Sequence, residues 1–245
     1  VKEIHQDLAS GSPMNRLLNG DVGSGKTAVA AFAAVVTASN KLQTAFLAPT
    51  EVLAQQHYQS ISTLLKDSSF EVSLLTKKTT LLHGQKVSKV TFLKALAAGL
   101  PDIIIGTHAL LQAQVDFKNL GLVIVDEQPR FGVAQRAKLQ QFTLAQNDAS
   151  PDLVPHFLSL TATPIPRTLA LTLFGNLAVS LLLAPPKNRK PIQSFLLQKE
   201  SDRQVVYKKI HTEIQKDHQA FIIYPLVEES ESLKDIKAVT TEHER

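Results

Sequence analysis

Residues 19–27 read Asn-Gly-Asp-Val-Gly-Ser-Gly-Lys-Thr, and the interpretation of the whole chain starts from this stretch. It fits the pattern of a glycine, four residues and then Gly-Lys-Thr, which is typical of loops that bind nucleotide phosphates. Glycines let the backbone approach a phosphate without a Cβ clash, and the N-terminus of a following helix offers N–H groups to an anion. The predicted phosphate-binding residues are Gly20, Asp21, Val22, Gly23, Ser24, Gly25, Lys26 and Thr27.

The last two residues of this loop have distinct expected roles. Lys26 is expected to reach the β- and γ-phosphates of a nucleoside triphosphate, and the Thr27 hydroxyl to take one position around Mg²⁺. Residues 16–18 are typical of a preceding strand, and the uncharged segment 27–39 is typical of a buried helix. The alternative is a glycine turn with a chance lysine, and the motifs further along the chain argue against it.

The composition limits the class of protein but does not identify a function. The chain has 245 residues, of which 44% are hydrophobic, so it has enough apolar side chains for a packed core. Its net charge of +4 is compatible with a polyanionic partner, but an ordinary basic surface explains it equally well. The absence of cysteine fits a cytoplasmic protein. We predict no zinc site, since the histidines lack metal-ligand spacing, and no membrane span, since no apolar run reaches about 18 residues.

Apolar runs alternate with helical segments through most of the chain. This pattern predicts an α/β fold with a mainly parallel sheet covered by helices on both faces. The predicted strands are 44–48, 71–76, 102–107, 120–126, 156–163 and 178–184, and the predicted helices are 51–66, 84–98, 132–146 and 167–174. We expect Thr50 to cap the helix 51–66, and Val90, Leu93, Leu96 and Ala97 to lie on one side of the helix 84–98. Ligands of such sheets bind at the carboxyl ends of the strands.

Two of these strand ends carry polar side chains suited to chemistry. Asp126 and Glu127 close an apolar strand; the first is placed to hold Mg²⁺ and the second to polarise an attacking water. Thr161 and Thr163 close another strand, where hydroxyl groups could link a phosphate site to neighbouring elements. The structural alternatives are a polar cap and a Thr-rich strand end, and the order of the motifs after the phosphate loop favours the chemical interpretation of Asp126 and Glu127.

A proline-rich and basic segment, residues 185–191, is typical of a linker. We therefore divide the chain into a first domain, 1–185, and a second part, 186–245. The second part has predicted strands at 192–198 and 220–227 and a predicted helix at 201–217, which is too little for an independent core. Since the chain also begins without Met, we expect it to be part of a longer protein.

Five motifs in this order resemble the superfamily 2 DNA helicases, and among them the RecG branch-migration translocases of bacteria. They are GDVGSGKT, APTEVLAQQHY, IGTHALL, VIVDEQPRFGV and TATPIPRTLAL, and the resemblance extends over essentially the whole chain. Transcription-repair coupling translocases share TATPIPRTL, but Ser24 and Gln128 favour the RecG group. The resemblance implies RecA-like phosphate-loop domains and ATP-driven movement on duplex DNA. It also implies the remodelling of stalled forks and Holliday junctions during recombination and repair.

The resemblance assigns roles to individual residues and to partners. It implies that Lys26 and Glu127 are catalytic, that Thr27 and Asp126 hold Mg²⁺, and that the protein is a cytoplasmic, monomeric motor on branched double-stranded DNA. The residues implied in coupling hydrolysis to DNA are Gln128, Arg130, Thr161 and Thr163. The residues implied in facing DNA are Thr50, Gly106, Thr107 and Arg167.

The chain departs from the family pattern at Pro129, where the family usually has His, which puts the coupling in doubt. The family's adenine-contacting glutamine motif is expected upstream of Val1. The second motor half, with its arginine fingers, and the wedge domain are also expected outside this chain, so we expect the chain by itself to hydrolyse ATP slowly. Two alternatives remain open. One is a nucleotide-binding module without a motor, and the other is a small-molecule kinase, which leaves the Asp-Glu and Thr-Ala-Thr strand ends unexplained.

Overall fold

The computed structural model describes residues 1–112, 114–127, 154–163, 177–183, 192–196 and 200–223. The chain divides into two compact units, Val1–Arg189 and Lys190–Arg245. Three predicted segments, the helices 132–146 and 167–174 and the linker 185–191, lie outside the described residues.

The first unit is built on one sheet. Its described strands are β1 (Asn15–Gly20), β2 (Gln43–Leu47), β3 (Val72–Leu75), β4 (Thr80–Leu82), β5 (Gln85–Lys86), β6 (Ile103–Gly106), β7 (Leu120–Asp126), β8 (His156–Thr161) and β9 (Ala178–Leu182). Their order across the sheet is β5-β4-β3-β6-β2-β7-β8-β1-β9. In this order, every neighbouring pair between β3 and β9 is parallel. At one edge of the sheet β4 pairs antiparallel with β3, and β5 pairs antiparallel with β4.

Helices cover both faces of this sheet. The described helices are α1 (Lys2–Ala9), α2 (Lys26–Ser39), α3 (Glu51–Leu64), α4 (Lys89–Ala97) and a 3₁₀ helix (His108–Leu111). Successive residues of β7 alternate between the two cores: Leu122 and Ile124 pack with α1, α2 and α3, whereas Val123 and Val125 pack with α4 and the 3₁₀ helix. The sequence of a strand that is buried on both faces is typically an unbroken apolar run. The predicted α/β class with a covered, mainly parallel sheet is confirmed.

One predicted element is partly wrong. The helix expected from residue 84 begins at Lys89, and the residues before it form the β4–β5 hairpin, which we did not predict. His83 and Gly84 form the turn with φ values of 51° and 71°, which matches the left-handed backbone of a two-residue hairpin turn. The expected side of α4 is only partly right: Leu96 is buried and Leu93 packs against the core, whereas Val90 is 64% exposed and Ala97 is exposed. The buried Phe92 was not among the expected residues.

Arg16 anchors α1 to the edge of the sheet. It is a charged residue in β1, yet only 9% of its surface is exposed. Its Nε donates to Asp7 at 2.6 Å, and its Nη1 donates to Glu3 at 3.0 Å and to Ser180 of β9 at 2.7 Å. A buried guanidinium needs such partners to offset its desolvation. These contacts explain why α1 packs beside β1 and β9.

The second unit contains one described helix, α5 (Glu200–Ile214), close to the predicted range 201–217. Residues 192–196, predicted as part of a strand, have no regular secondary structure, and neither do residues 220–223 of the other predicted strand. Within this unit the Lys209 ammonium lies 4.6 Å from the centre of the Phe195 ring. Among the described residues of the whole chain, no helix is both long and apolar enough to cross a membrane.

His156 gives the stability of the first unit a predicted pH dependence. Its Nδ1 accepts a hydrogen bond from the Met14 N–H at 2.9 Å, so this nitrogen is unprotonated in the fold. Burial lowers the pKa of His156, an effect that nearby Asp7 opposes without cancelling. The unfolded chain therefore takes up a proton near pH 6.5, before the folded chain does. We expect the free energy of unfolding to fall as pH drops from about 6.5 through the folded pKa.

Urea unfolding between pH 8 and 5 measures this effect. The Asn oxygen of His156→Asn keeps an acceptor for Met14 but does not titrate, so this variant should lose part of the acid sensitivity. His108→Asn removes an exposed histidine and serves as the control. An acid sensitivity that is equal in wild type and His156→Asn would contradict the prediction.

Candidate nucleotide and magnesium site

Three neighbouring strands bring the predicted chemical residues to one edge of the sheet. β8 lies between β1 and β7, with Asn19 opposite Thr161 on one side and Asp126 opposite Leu160 on the other. The phosphate loop therefore begins two strand spacings, about 10 Å, from Asp126. A lysine side chain and a nucleotide triphosphate together span such a distance. Lys26 and Asp126 thus lie at the same edge of one sheet, as the sequence predicted.

The loop between β1 and α2 has the backbone geometry of an anion site. Gly23 and Gly25 have φ values of 77° and 91°, which most side chains disfavour. Gly25 is the N-cap of α2, and no side chain caps that helix end. The first N–H groups of a helix have no intrahelical acceptor, so they are available to a phosphate.

Gly20 and Ser24 face each other across the base of the loop. A Cβ at Gly20 would lie 2.5 Å from the Ser24 Oγ and 2.8 Å from the Leu182 Cβ, so no larger residue fits at this position without a shift. The Ser24 Oγ is buried and has no hydrogen-bond partner among the described residues. A buried hydroxyl without a partner is costly, and a bound phosphate oxygen would supply the missing acceptor.

Lys26 folds back over its own loop. Its Nζ donates to the Gly20 carbonyl at 2.6 Å and to the Asp21 carbonyl at 2.9 Å. These carbonyl oxygens hold the ammonium group within the loop, where it adds positive charge to the free N–H groups of α2. The cation is therefore already in place when a phosphate binds in the loop. Electrostatic attraction would then favour transfer of the Lys26 ammonium group from the carbonyl oxygens to the phosphate oxygens.

Asp126 has a partner that the sequence did not reveal. The His57 Nε2 lies 2.7 Å from the Asp126 Oδ2, and both side chains are 12% exposed. The His57 ring also packs on Phe46, with ring centres 4.7 Å apart. His57 belongs to α3, and 69 residues separate it from Asp126 along the chain. The spacing of residues in the sequence does not predict a contact between residues so far apart, although His57 lies within the motif APTEVLAQQHY.

We expect His57→Ala to weaken Mg²⁺ binding in the presence of ATP. The imidazole fixes the orientation of the Asp126 carboxylate, and loss of a hydrogen bond that orients a metal ligand typically lowers metal affinity about 10- to 100-fold. Titration of Mg²⁺ at constant ATP, followed by the melting temperature, measures this affinity. His218→Ala removes another histidine that contacts a carboxylate, that of Glu213 at 2.6 Å, and is the control. Equal Mg²⁺ midpoints in the two variants would contradict the prediction.

Glu127 has a strained backbone and a fixed carboxylate. Its φ of 49° lies in the left-handed region, which costs a residue other than glycine about 1 kcal/mol or more. Its N–H donates to the Leu160 carbonyl at 2.9 Å, and its Oε1 accepts from the Ala162 N–H at 3.2 Å. The Thr161 and Thr163 hydroxyls are 2.9 Å apart and close the same turn. Strain of this kind is typical of functional sites, and here it turns the carboxylate towards the end of β8.

The residues predicted to face DNA lie on the same edge, further along the sheet. The Thr50 hydroxyl accepts from the Leu53 N–H at 3.2 Å, so the predicted N-cap is confirmed. Thr107 is 3% exposed and caps the 3₁₀ helix. A Cβ at Gly106 would lie 2.3 Å from the Leu75 carbonyl, so close strand packing alone requires this glycine. Contacts of these residues with DNA stay predictions. Gln128, Arg130 and Arg167 lie outside the described residues.

The donor atoms at the strand ends suit Mg²⁺. Hydroxyl and carboxylate oxygens are its usual protein ligands, and it typically takes only one or two carboxylates together with phosphates and water. Thr27 supplies a hydroxyl oxygen in the phosphate loop, and Asp126 and Glu127 supply carboxylate oxygens at the end of β7, two strands from β1. Among the described residues no group of three or more His, Cys, Asp or Glu side chains is arranged to hold a metal ion.

The model of the DEAD/DEAH box helicases matches residues 2–172, which include the phosphate loop and both polar strand ends of the site. The chain belongs to the DEAD/DEAH box helicases. The match extends across most of the first unit.

Curated relatives agree with this membership and confirm the resemblance to RecG. The ATP-dependent DNA helicase RecG of Aquifex aeolicus is 46% identical over 245 residues, which are 100% of this chain and 29% of the relative. RecG of Synechocystis is 48% identical over 99% of this chain and 27% of the relative. The chain thus spans less than a third of the length of these relatives.

A solved structure gives the same result in three dimensions. The structure of RecG bound to a three-way DNA junction superposes with a TM-score of 0.72 at 37% sequence identity. The match covers 92% of this chain and 28% of that one. A structure of the DUF1998 helicase MrfA matches with a TM-score of 0.59 at 14% identity, which supports the helicase fold alone.

Proposed function

We propose that the chain is the first motor domain, with the start of the second, of an ATP-driven translocase that remodels branched DNA. The observation that carries the proposal is the convergence of the phosphate loop, Asp126 and Glu127 at one edge of a sheet in a chain closely similar to RecG. We assign residues 1–185 to the first RecA-like domain, and residues 186–245 to the linker and the beginning of the second. The proposed ligands are ATP, Mg²⁺ and branched double-stranded DNA, and the proposed location is the bacterial cytoplasm, where the motor acts as a monomer.

In this proposal the chain's own groups first bind and orient the triphosphate. The N–H groups at the start of α2 hold the phosphate oxygens, and Lys26 moves its ammonium group from the Gly20 and Asp21 carbonyls to the β- and γ-phosphates. Thr27 and Asp126 hold Mg²⁺, which when bound neutralises charge on the phosphates. His57 keeps the Asp126 carboxylate turned towards that position.

The Glu127 carboxylate is placed to orient the attacking water and to accept its proton. Its hydrogen bond to the Ala162 N–H links it to the turn that contains Thr161 and Thr163. A displacement of that turn would therefore move the base. We propose this contact as the route by which DNA engagement changes the rate of hydrolysis.

ATP turnover by the complete protein encoded by the reading frame, with and without a three-way DNA junction, tests the function. The proposal expects turnover to rise at least about tenfold with the junction, since motor ATPases are activated when their site is completed. Linear duplex of the same length is the control for branched DNA. A turnover that does not respond to any DNA would overturn the motor assignment and favour a nucleotide-binding module without a motor.

A further inference from the structure

His57 is a polar residue on the buried side of α3. It lies three residues after Ala54 and four before Ile61, and both of these neighbours are 0% exposed. Residues at such spacing share one face of a helix. This face packs into the core that also contains Phe46 of β2, whose ring centre lies 4.7 Å from that of His57. The imidazole is therefore held in place by packing on its own helix and on the sheet.

The contact between His57 and Asp126 engages one particular oxygen atom. A carboxylate accepts hydrogen bonds and does not donate them, so the His57 Nε2–H donates to the Asp126 Oδ2, at 2.7 Å. The Asp126 Oδ1 makes no hydrogen bond with another described residue. One oxygen of this carboxylate is thus engaged within the protein, and the other is available to a metal ion.

The neighbouring carboxylate has a similar arrangement. The Glu127 Oε1 accepts from the Ala162 N–H at 3.2 Å. Both carboxylates at the end of β7 therefore have one oxygen in a hydrogen bond with a protein donor. A carboxylate of this kind is prepared to bind a metal ion through its remaining oxygen alone.

Mg²⁺ and Ca²⁺ differ in what they require of carboxylates. Mg²⁺ needs near-octahedral geometry at about 2.0–2.1 Å and retains several waters, so one oxygen from each of one or two carboxylates is enough. Ca²⁺ takes about six to eight oxygens at roughly 2.3–2.6 Å, and it often uses both oxygens of one carboxylate. An arrangement that offers one oxygen per carboxylate therefore suits Mg²⁺ better than Ca²⁺.

We propose that His57 is a positioning residue that makes the site select Mg²⁺ over Ca²⁺. By keeping the Asp126 Oδ2 in a hydrogen bond, it prevents this carboxylate from binding an ion through both oxygens. The inference rests on the proposed function, because that function places a divalent cation at Asp126. An imidazole that only orients Asp126 would strengthen the binding of both ions, whereas one that blocks Oδ2 strengthens Mg²⁺ binding relative to Ca²⁺ binding.

The competing explanation is that Asp126 merely supplies a partner for His57. The His57 side chain is only 12% exposed, and a buried N–H group needs an acceptor. The contact would then stabilise the packing of α3 on the sheet and have no effect on the choice of ion. In that case replacement of His57 would change the affinities for Mg²⁺ and Ca²⁺ by the same factor. The ratio of the two affinities therefore separates the explanations.

Three variants of the full chain test the proposal. His57→Gln keeps a side-chain N–H that can donate to Asp126, His57→Leu fills the space beside Phe46 without a donor, and His57→Ala removes both the donor and the packing. Melting temperatures without ligand establish that the variants are folded. His218→Leu is the control, because it removes a histidine that contacts a different carboxylate, at 2.6 Å.

The measured quantity is the midpoint of the ATP-dependent rise in melting temperature. Each chain is freed of metal with a chelator, dialysed, and titrated with MgCl₂ or CaCl₂ at constant ATP. The affinity of ATP itself for each ion is the same in every titration. A ratio of midpoints that changes between variants therefore reports a change in the protein.

We expect the preference for Mg²⁺ over Ca²⁺ to fall at least about tenfold in His57→Leu and His57→Ala, because Mg²⁺ loses an oriented ligand and Ca²⁺ gains a second oxygen. His57→Gln and the control should keep the wild-type preference. Equal losses for both ions in His57→Leu and His57→Ala, or a lost preference in His57→Gln, would overturn the inference and leave the proposed function intact. A wild-type chain that responds to neither ion in the presence of ATP would overturn the proposed magnesium site itself.

Discussion

Lys26→Ala is expected to abolish the stabilisation of the chain by ATP and Mg²⁺. The ammonium group is the only side-chain cation held inside the described part of the phosphate loop, through the Gly20 and Asp21 carbonyls. A ligand at 100 times its dissociation constant stabilises a fold by about 2.7 kcal/mol. For a domain of this size that corresponds to a rise of roughly 5–10 °C in melting temperature. Loss of the phosphate contact should reduce the rise to near zero.

Thermal unfolding at several ATP concentrations measures this difference. Among the described residues the Lys26 side chain makes hydrogen bonds only within its own loop, so the variant without ATP should melt close to the wild type. Lys66→Ala is the matched control, because its side chain is 70% exposed beyond the end of α3. An ATP-induced rise of the same size in Lys26→Ala and wild type would remove Lys26 from the nucleotide site.

The sheet and the position of the site could be predicted because both depend on local sequence. The strands β2, β3, β6 and β7 are fully buried, so each reads as a short apolar run without alternation. The carboxyl ends of parallel strands meet at one edge, and this rule alone brings Gly20, Asp126 and Thr161 together. The order of the strands across the sheet depends on contacts between segments that are distant in the sequence, so it could not be predicted from the apolar runs.

The hairpin before α4 escaped prediction because its turn signal is weak. Asn-Gly and Asp-Gly are the strong signals of a two-residue turn with positive φ at both positions, whereas this turn is His83-Gly84. The His83 Nδ1 lies 2.9 Å from the Glu71 carboxylate, and that contact between distant residues supports the turn. Gly84, shortly after the apolar pair Leu81 and Leu82, was the available clue. Because Gly84 was interpreted instead as the start of a helix, the predicted buried side of α4 included Val90 and omitted Phe92.

The described parts of the predicted strands of the second unit, 192–196 and 220–223, are not strands for a different reason. A strand forms when its backbone pairs with a neighbour, and short apolar runs carry no information about whether that neighbour is present. Phe195 and Leu196 are 68% and 84% exposed, and Phe221 is 85% exposed. Apolar side chains with that exposure are not in a core, so the propensity for strands did not decide the structure of these segments.

Glu127→Gln is expected to keep nucleotide binding and to lose hydrolysis. The amide oxygen of glutamine can still accept from the Ala162 N–H, which the Glu127 carboxylate contacts at 3.2 Å, so the turn at the end of β8 should persist. An amide cannot take a proton from water, and removal of a general base typically lowers turnover about 10²- to 10⁴-fold. ATP turnover with the three-way junction, together with the ATP-induced thermal shift, separates the two effects.

The backbone of Glu127 provides a second, independent test of its role. At φ 49° an asparagine has less backbone strain than a glutamate. The variant Glu127→Asn should therefore be at least as stable as the wild type while it loses turnover. Unchanged or higher stability together with lost turnover would indicate that the backbone strain is needed to place a carboxylate next to the phosphates. A residue with a purely structural role predicts the opposite pattern, in which stability falls with Glu127→Asn and turnover falls only in proportion to the folded fraction.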